Sequence, residues 1–75
     1  MGNARDSEFM VAFGNRIKKV RATHEMSQYE LADKANVERS QVARIERGTV
    51  NASLGTAKLL AQGFGITLSE LVDFD

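Results

Sequence analysis

Seventy-five residues are enough for one small domain and too few for a second core. With no Cys and a single His (His24), the chain has no disulfide framework, no thiolate metal site, no metal cluster and no obvious general base. Ten basic residues balance ten acidic ones, which excludes a binder that relies on bulk positive charge but leaves room for one basic face.

That balance is uneven along the chain. Arg16 to Arg47 contains eight basic and five acidic residues, whereas the ends together contain two basic and five acidic ones. No apolar run approaches the roughly 20 residues that span a bilayer. Met1–Glu8 is too polar for a signal peptide, so the expected address is cytoplasmic, with no membrane partner.

Residues 1–7 read as a disordered lead and 8–75 as the domain. Phe9, Phe13, Ile17 and Val20 recur at helical spacing and predict a first helix over about Glu8–His24, with Arg16, Lys18 and Lys19 on its outer face. A break follows at Glu25–Met26. Ser27 and Glu30 then form a capping box, in which each side chain satisfies the other's backbone amide, and open a second helix over about Gln28–Ala35. Leu31, Ala32 and Ala35 form its inner face. Asn36 tolerates the left-handed conformation that ends a helix. A third helix starts near Glu38 or Arg39 and stops at Gly48.

Ser53 caps a fourth helix of about Leu54–Gly63, with Leu54, Ala57, Leu60, Ala61 and Phe64 inward, and Gly65 ends it. Thr67 and Glu70 form a second capping box before a short fifth helix carrying Leu68, Leu71 and Val72. The fold class is all-α, with five helices and no strand pattern.

Helix three sorts into two faces. Val42 and Ile45 lie on one side; Arg39, Ser40, Ala43, Arg44 and Arg47 spread over roughly 140° of the other. A basic face is often only a solvated face. Here it stands on the second of two short helices joined by a tight turn. Ala32 lies where those helices approach, and Leu31, Ala35, Val37, Val42 and Ile45 supply an apolar inner set. That is the helix-turn-helix layout, over about residues 28–47.

The stretch SQYELADKANVERSQVARIERG, with FGNRIKKVR before it and NAS and ITLSELV after it, resembles the Cro/C1-type (XRE-like) helix-turn-helix family of phage repressors and bacterial regulators. The resemblance covers Phe13 to about Phe74. The departures are Asn36 in place of the usual turn glycine, Ala52 where proline is common, and Gly55 and Gly63, each expected to weaken helix four by up to ~1 kcal/mol. Short stand-alone members include restriction-modification controller proteins, Cro-like repressors and some antitoxins.

The resemblance implies a compact, lambda-repressor-like DNA-binding domain and assigns roles to residues. Base contacts fall to Arg39 and Ser40, then Arg44, with Gln41 at the edge of the face. Arg pairs with guanine O6 and N7, whereas Ser tolerates several bases. Phosphate contacts fall to Gln28, which also braces helix three, and to Arg47, Thr49 and Asn51. Arg21 and Glu46 resemble the family's structural ion pair joining helix one to the end of helix three. Tyr29 has two readings, a hydroxyl donor to phosphate or a packing residue near helix one. Glu38 caps helix three, or meets a base. Asp33 is a solvated carboxylate, or part of an acidic patch for RNA polymerase. His24 ends helix one on the surface.

A module this small contributes only ~600–1,000 Å² to a DNA interface. A two-fold dimer on a palindromic operator doubles that. Leu59, about 160° from helix four's inward cluster, and Leu68, Val72 and Phe74 at the C-terminus are the expected dimer surface. The alternative for the terminal residues is that they fold back on their own core. The expected function is a sequence-specific transcriptional regulator acting in the major groove at the bacterial or phage-occupied nucleoid. The rival is an antitoxin-like protein-interaction module with secondary DNA binding. No cofactor and no enzymatic activity are expected, because the sequence supplies no acid–base or metal cluster.

Overall fold

A computed structural model describes residues 4–74, which form five helices: α1 Ala4–Thr23, α2 Gln28–Ala35, α3 Arg39–Glu46, α4 Leu54–Phe64 and α5 Leu68–Leu71. Of the expected disordered lead, residues 1–3 lie outside the described residues, and Ala4–Ser7 already belong to α1. The helical register therefore begins five residues before Phe9, the first apolar position that marked it in the sequence.

The helix boundaries follow from local chemistry. The Ser27 hydroxyl accepts from the Glu30 amide at 3.0 Å while the Glu30 carboxylate accepts from the Ser27 amide at 2.8 Å. Thr67 and Glu70 repeat the box at the start of α5. Asn36 ends α2 in the left-handed region at φ 57°, so the amide side chain stands where glycine is cheaper. Glu38 is the N-cap of α3 by position, but its side chain makes no capping hydrogen bond, contrary to the role expected of it.

Phe13, Ile17, Val20, Leu31, Val42, Ile45, Leu60, Phe64 and Leu71 meet in one core to which every helix contributes. Two expected inner residues do not join it. Phe9 is exposed, although its ring stacks on Phe13 and Phe74 at 6.3 and 6.0 Å. Leu54 is exposed in the first turn of α4, ahead of Ala57, the first buried residue of that helix. Periodicity gives the direction of a side chain, not whether an element stands there to cover it.

Gly63 corrects the expectation that helix four carries a weakness there. A Cβ at Gly63 would lie 2.9 Å from the Ala35 Cβ and 3.0 Å from the Ala35 nitrogen, so the missing side chain lets α4 approach α2. Gly55 is different: its nearest neighbour would be the Ser53 hydroxyl at 3.8 Å.

Candidate nucleic-acid interface

Helix three has only eight residues, and its burial splits them sharply. Val42, Ile45 and Glu46 are buried; Arg39, Ser40 and Arg44 are exposed, as is Arg47 just beyond the helix. Gln41 is half-buried, consistent with its place at the edge of the face. The exposed set stands in register over two turns, a geometry that places guanidinium groups along one side of a narrow rod.

The buried end of the helix is held by charge. Glu46 is 6% exposed, and a carboxylate so placed needs partners. Arg21 Nε donates to Glu46 Oε2 at 2.7 Å and Arg21 Nη2 to Oε1 at 2.9 Å, a two-pronged bridge from α1. Gln28 Nε2 donates to Oε1 at 2.9 Å, and Arg21 Nη1 donates to the Met26 carbonyl at 3.0 Å. The hydrogen bond that Arg21 donates to Glu46 raises the Arg21 pKa above its ordinary value, against the opposing effect of burial. One carboxylate thus ties α1, the start of α2 and the end of α3 together. Gln28 reaches helix three through Glu46, a partner the sequence reading left unnamed.

The segment after α3 folds back on the helix through Thr49. Its hydroxyl donates to the Arg44 carbonyl at 3.1 Å and its amide to the same oxygen at 3.2 Å. Both bonds close the turn that follows α3. Arg47 and Asn51 are exposed beside it.

Several positions acquired neighbours that sequence reasoning missed. The Arg39 guanidinium carbon lies over the Tyr29 ring, 5.2 Å from its centroid, so Tyr29 packs toward helix three rather than helix one. Arg16, expected on the outer face of α1, donates to the Leu71 carbonyl at 2.9 Å and the Glu70 carbonyl at 2.7 Å and anchors α5. The signal was present: on a helix Arg16 falls roughly 40° from Val20 and 60° from Phe13, at the margin of the apolar face. Asp33 is exposed, and His24 is exposed with its ring 5.5 Å from that of Phe64.

The expected dimer residues divide. Leu59 and Val72 are 38% and 42% exposed, whereas Leu68 and Phe74 pack partly against the core. Phe74 does so by stacking with Phe9 and Phe13. No group of acidic or His residues among the described residues is arranged to hold a metal ion. No described helix is long and apolar enough to cross a membrane.

Comparison with known proteins agrees with this geometry. A family profile described as helix-turn-helix matches residues 17–71. The immunity repressor protein of Bacillus phage phi105 is 44% identical over 59 residues, which is 79% of this chain but 41% of that protein. This chain therefore spans less than half the length of that relative. The control protein C.MunI of a Mycoplasma species is 36% identical over 66 residues, covering 87% of this chain and 89% of its own length. Among solved structures, the restriction-modification controller protein C.AhdI from Aeromonas hydrophila superposes with a TM-score of 0.82 at 36% identity, covering 85% of this chain and 97% of that one.

Proposed function

Because the chain belongs to the Cro/C1-type helix-turn-helix family, a family of DNA-binding regulators, we propose that it is a sequence-specific transcriptional regulator that binds an inverted-repeat operator as a homodimer. The observation that carries this reading is the division of α3, with Arg39, Ser40 and Arg44 exposed on one side and Val42, Ile45 and Glu46 buried on the other. In this reading α3 lies in the major groove. Arg39 reads a guanine through O6 and N7, Ser40 and Gln41 flank it, and Arg44 reaches one turn further. Arg47 and Asn51 hold phosphate and fix the register, without specifying sequence.

Neutral total charge suits such a mode, because affinity then rests on placed contacts more than on bulk attraction. The similarity to a control protein over 89% of its length and to a restriction-modification controller over 97% of its length supports a controller-type role in the cytoplasm. Leu59 and Val72, exposed on α4 and just past α5, are the apolar residues available for the two-fold contact. Leu68 and Phe74 contribute only their uncovered edges.

Selection from random-sequence duplexes tests the reading. The expected product is an inverted repeat whose half-sites are centred about one helical turn apart, some 34 Å. Sedimentation equilibrium at micromolar concentration should give a dimer that Leu59→Lys with Val72→Lys dissociates. An unrepeated motif bound by a monomer would overturn the dimeric reading, and no enriched motif would overturn sequence-specific binding.

A further inference from the structure

Tyr29 is the most exposed aromatic side chain among the described residues, at 72%, in a position where its ring covers no part of the core. An aromatic ring left in water forgoes the stabilisation that burial would give. Its described neighbour is Arg39, whose guanidinium carbon stands 5.2 Å from the ring centroid, within the range of cation–π attraction. The two residues occupy the first turns of α2 and α3 and share the wall of a shallow cleft with Asp33 and Glu38. Either carboxylate could compete for the guanidinium. Among the described residues neither is within ion-pair distance of it, and the Arg39 guanidinium donates no hydrogen bond. The ring face is the contact the structure gives it.

We infer that Tyr29 is a positioning residue for base reading: its ring restrains the Arg39 guanidinium before DNA arrives, so that Arg39 loses less freedom on reaching a base edge. The inference rests on the proposal that Arg39 reads a base, and deepens it by naming what orders that side chain. The chemistry is compatible. A cation–π contact engages the charge and the flat face of the guanidinium, while its N–H donors lie in the plane and stay free for a two-pronged bond to guanine. Arginine otherwise carries large rotamer entropy, and ordering it beforehand lowers the cost of binding. Tyr29 brings no sequence information of its own. It sharpens the reading done by Arg39.

The test uses the full chain and the duplex enriched by selection, with random duplex as reference. Tyr29→Phe keeps the ring and removes the hydroxyl; Tyr29→Leu keeps apolar bulk and removes the π face. Tyr29→Phe should match the parent. Tyr29→Leu and Tyr29→Ala should weaken the selected duplex about two- to five-fold, with random duplex unchanged, the range expected of an exposed cation–π contact. In an Arg39→Ala background the Tyr29 substitutions should do nothing further. In the free protein, the Arg39 side-chain protons should be shifted upfield by the ring in parent and Tyr29→Phe, and not in Tyr29→Leu. Equal loss for Tyr29→Phe and Tyr29→Ala would assign the effect to the hydroxyl and overturn the inference. A tighter complex without the ring, or a Tyr29 effect undiminished in the Arg39→Ala background, would overturn it too. Should Arg39→Ala itself leave discrimination intact, base reading by Arg39 fails and this inference with it. A normal loss for Arg39→Ala beside a neutral Tyr29→Ala removes this inference alone.

Discussion

The two ends of helix three are built by opposite rules. At its C-terminal end Glu46 is buried, and its carboxylate accepts three hydrogen bonds from two other helices. At its N-terminal end Arg39 and Ser40 are exposed, the cap residue Glu38 makes no side-chain capping bond, and the Arg39 guanidinium carbon lies over the Tyr29 ring. A frame satisfies its polar groups internally, because a buried group left unpaired is costly. A binding surface leaves that capacity open in water, where it costs little until a partner arrives. The same eight residues thus hold a fixed anchor and, in the proposed complex, a reading head.

Removing the anchor should have the largest effect. Glu46→Ala leaves Arg21 and the Gln28 amide without their acceptor and should cost about 2–4 kcal/mol of stability, moderated by the water that still reaches Arg21. A denaturant double-mutant cycle of Arg21→Ala with Glu46→Ala should give a positive coupling of about 1–3 kcal/mol. Strict additivity would remove the ion pair from the account of the frame. DNA discrimination by whatever fraction remains folded should be unchanged, since neither residue faces the groove in the proposed complex.

The reading head should answer in the reverse sense. Arg39→Ala should leave the melting midpoint almost where it was and weaken the selected duplex by about 1–3 kcal/mol, with much less loss on random DNA. Arg47→Ala should weaken both DNAs alike and reduce the salt slope by roughly one phosphate contact. Equal losses on both DNAs for Arg39→Ala would move it to the phosphate class, and the contrast between the helix ends would then concern stability alone.

Much of this was legible in the sequence because it is written in local chemistry. Ser27 with Glu30, Thr67 with Glu70, Asn36 and Gly48 set helix ends through contacts within four residues of one another. The pair Arg21 and Glu46 came instead from the family resemblance, since 25 residues separate them and spacing alone says nothing. What stayed hidden was tertiary. Arg16 on the α5 carbonyls, Gln28 on Glu46 and Tyr29 under Arg39 each depend on how one helix lies against another. Gly63 makes the point in energy. Helix propensity alone predicts that alanine there gains up to ~1 kcal/mol. The contact with Ala35 makes it overpacking, so Gly63→Ala should be net destabilising by about 1–2 kcal/mol. Gly55→Ala, whose Cβ would meet only the Ser53 hydroxyl at an ordinary contact distance, should stabilise by about 0.5–1 kcal/mol. Thermal melts that rank the two the other way would return Gly63 to the ordinary propensity scale.

The smallest effect separates the frame from the head by pH. Glu30 follows Gln28 and Tyr29 in the first turn of α2, and its carboxylate accepts from the Ser27 amide; Glu70 does the same for α5 at Thr67. Those hydrogen bonds stabilise the charged form and lower both carboxyl pKa values from the ordinary 4.5. The folded state therefore binds a proton less readily than the unfolded chain. The stability each contributes is fully present above the ordinary carboxylate range and is lost as pH falls through the lowered folded value. Both side chains are solvent-exposed, so the effect is a modest steepening of the acid limb, not a transition of its own. Glu30→Gln keeps the acceptor oxygen and removes the charge; it should lower the midpoint at neutral pH and flatten the decline between about pH 5 and pH 3. Arg21, with its pKa raised by Glu46, stays charged throughout that window. If Glu30→Gln leaves the acid limb as steep as in the parent, the start of α2 is held by its backbone and by Gln28, and the capping carboxylate is only a surface charge.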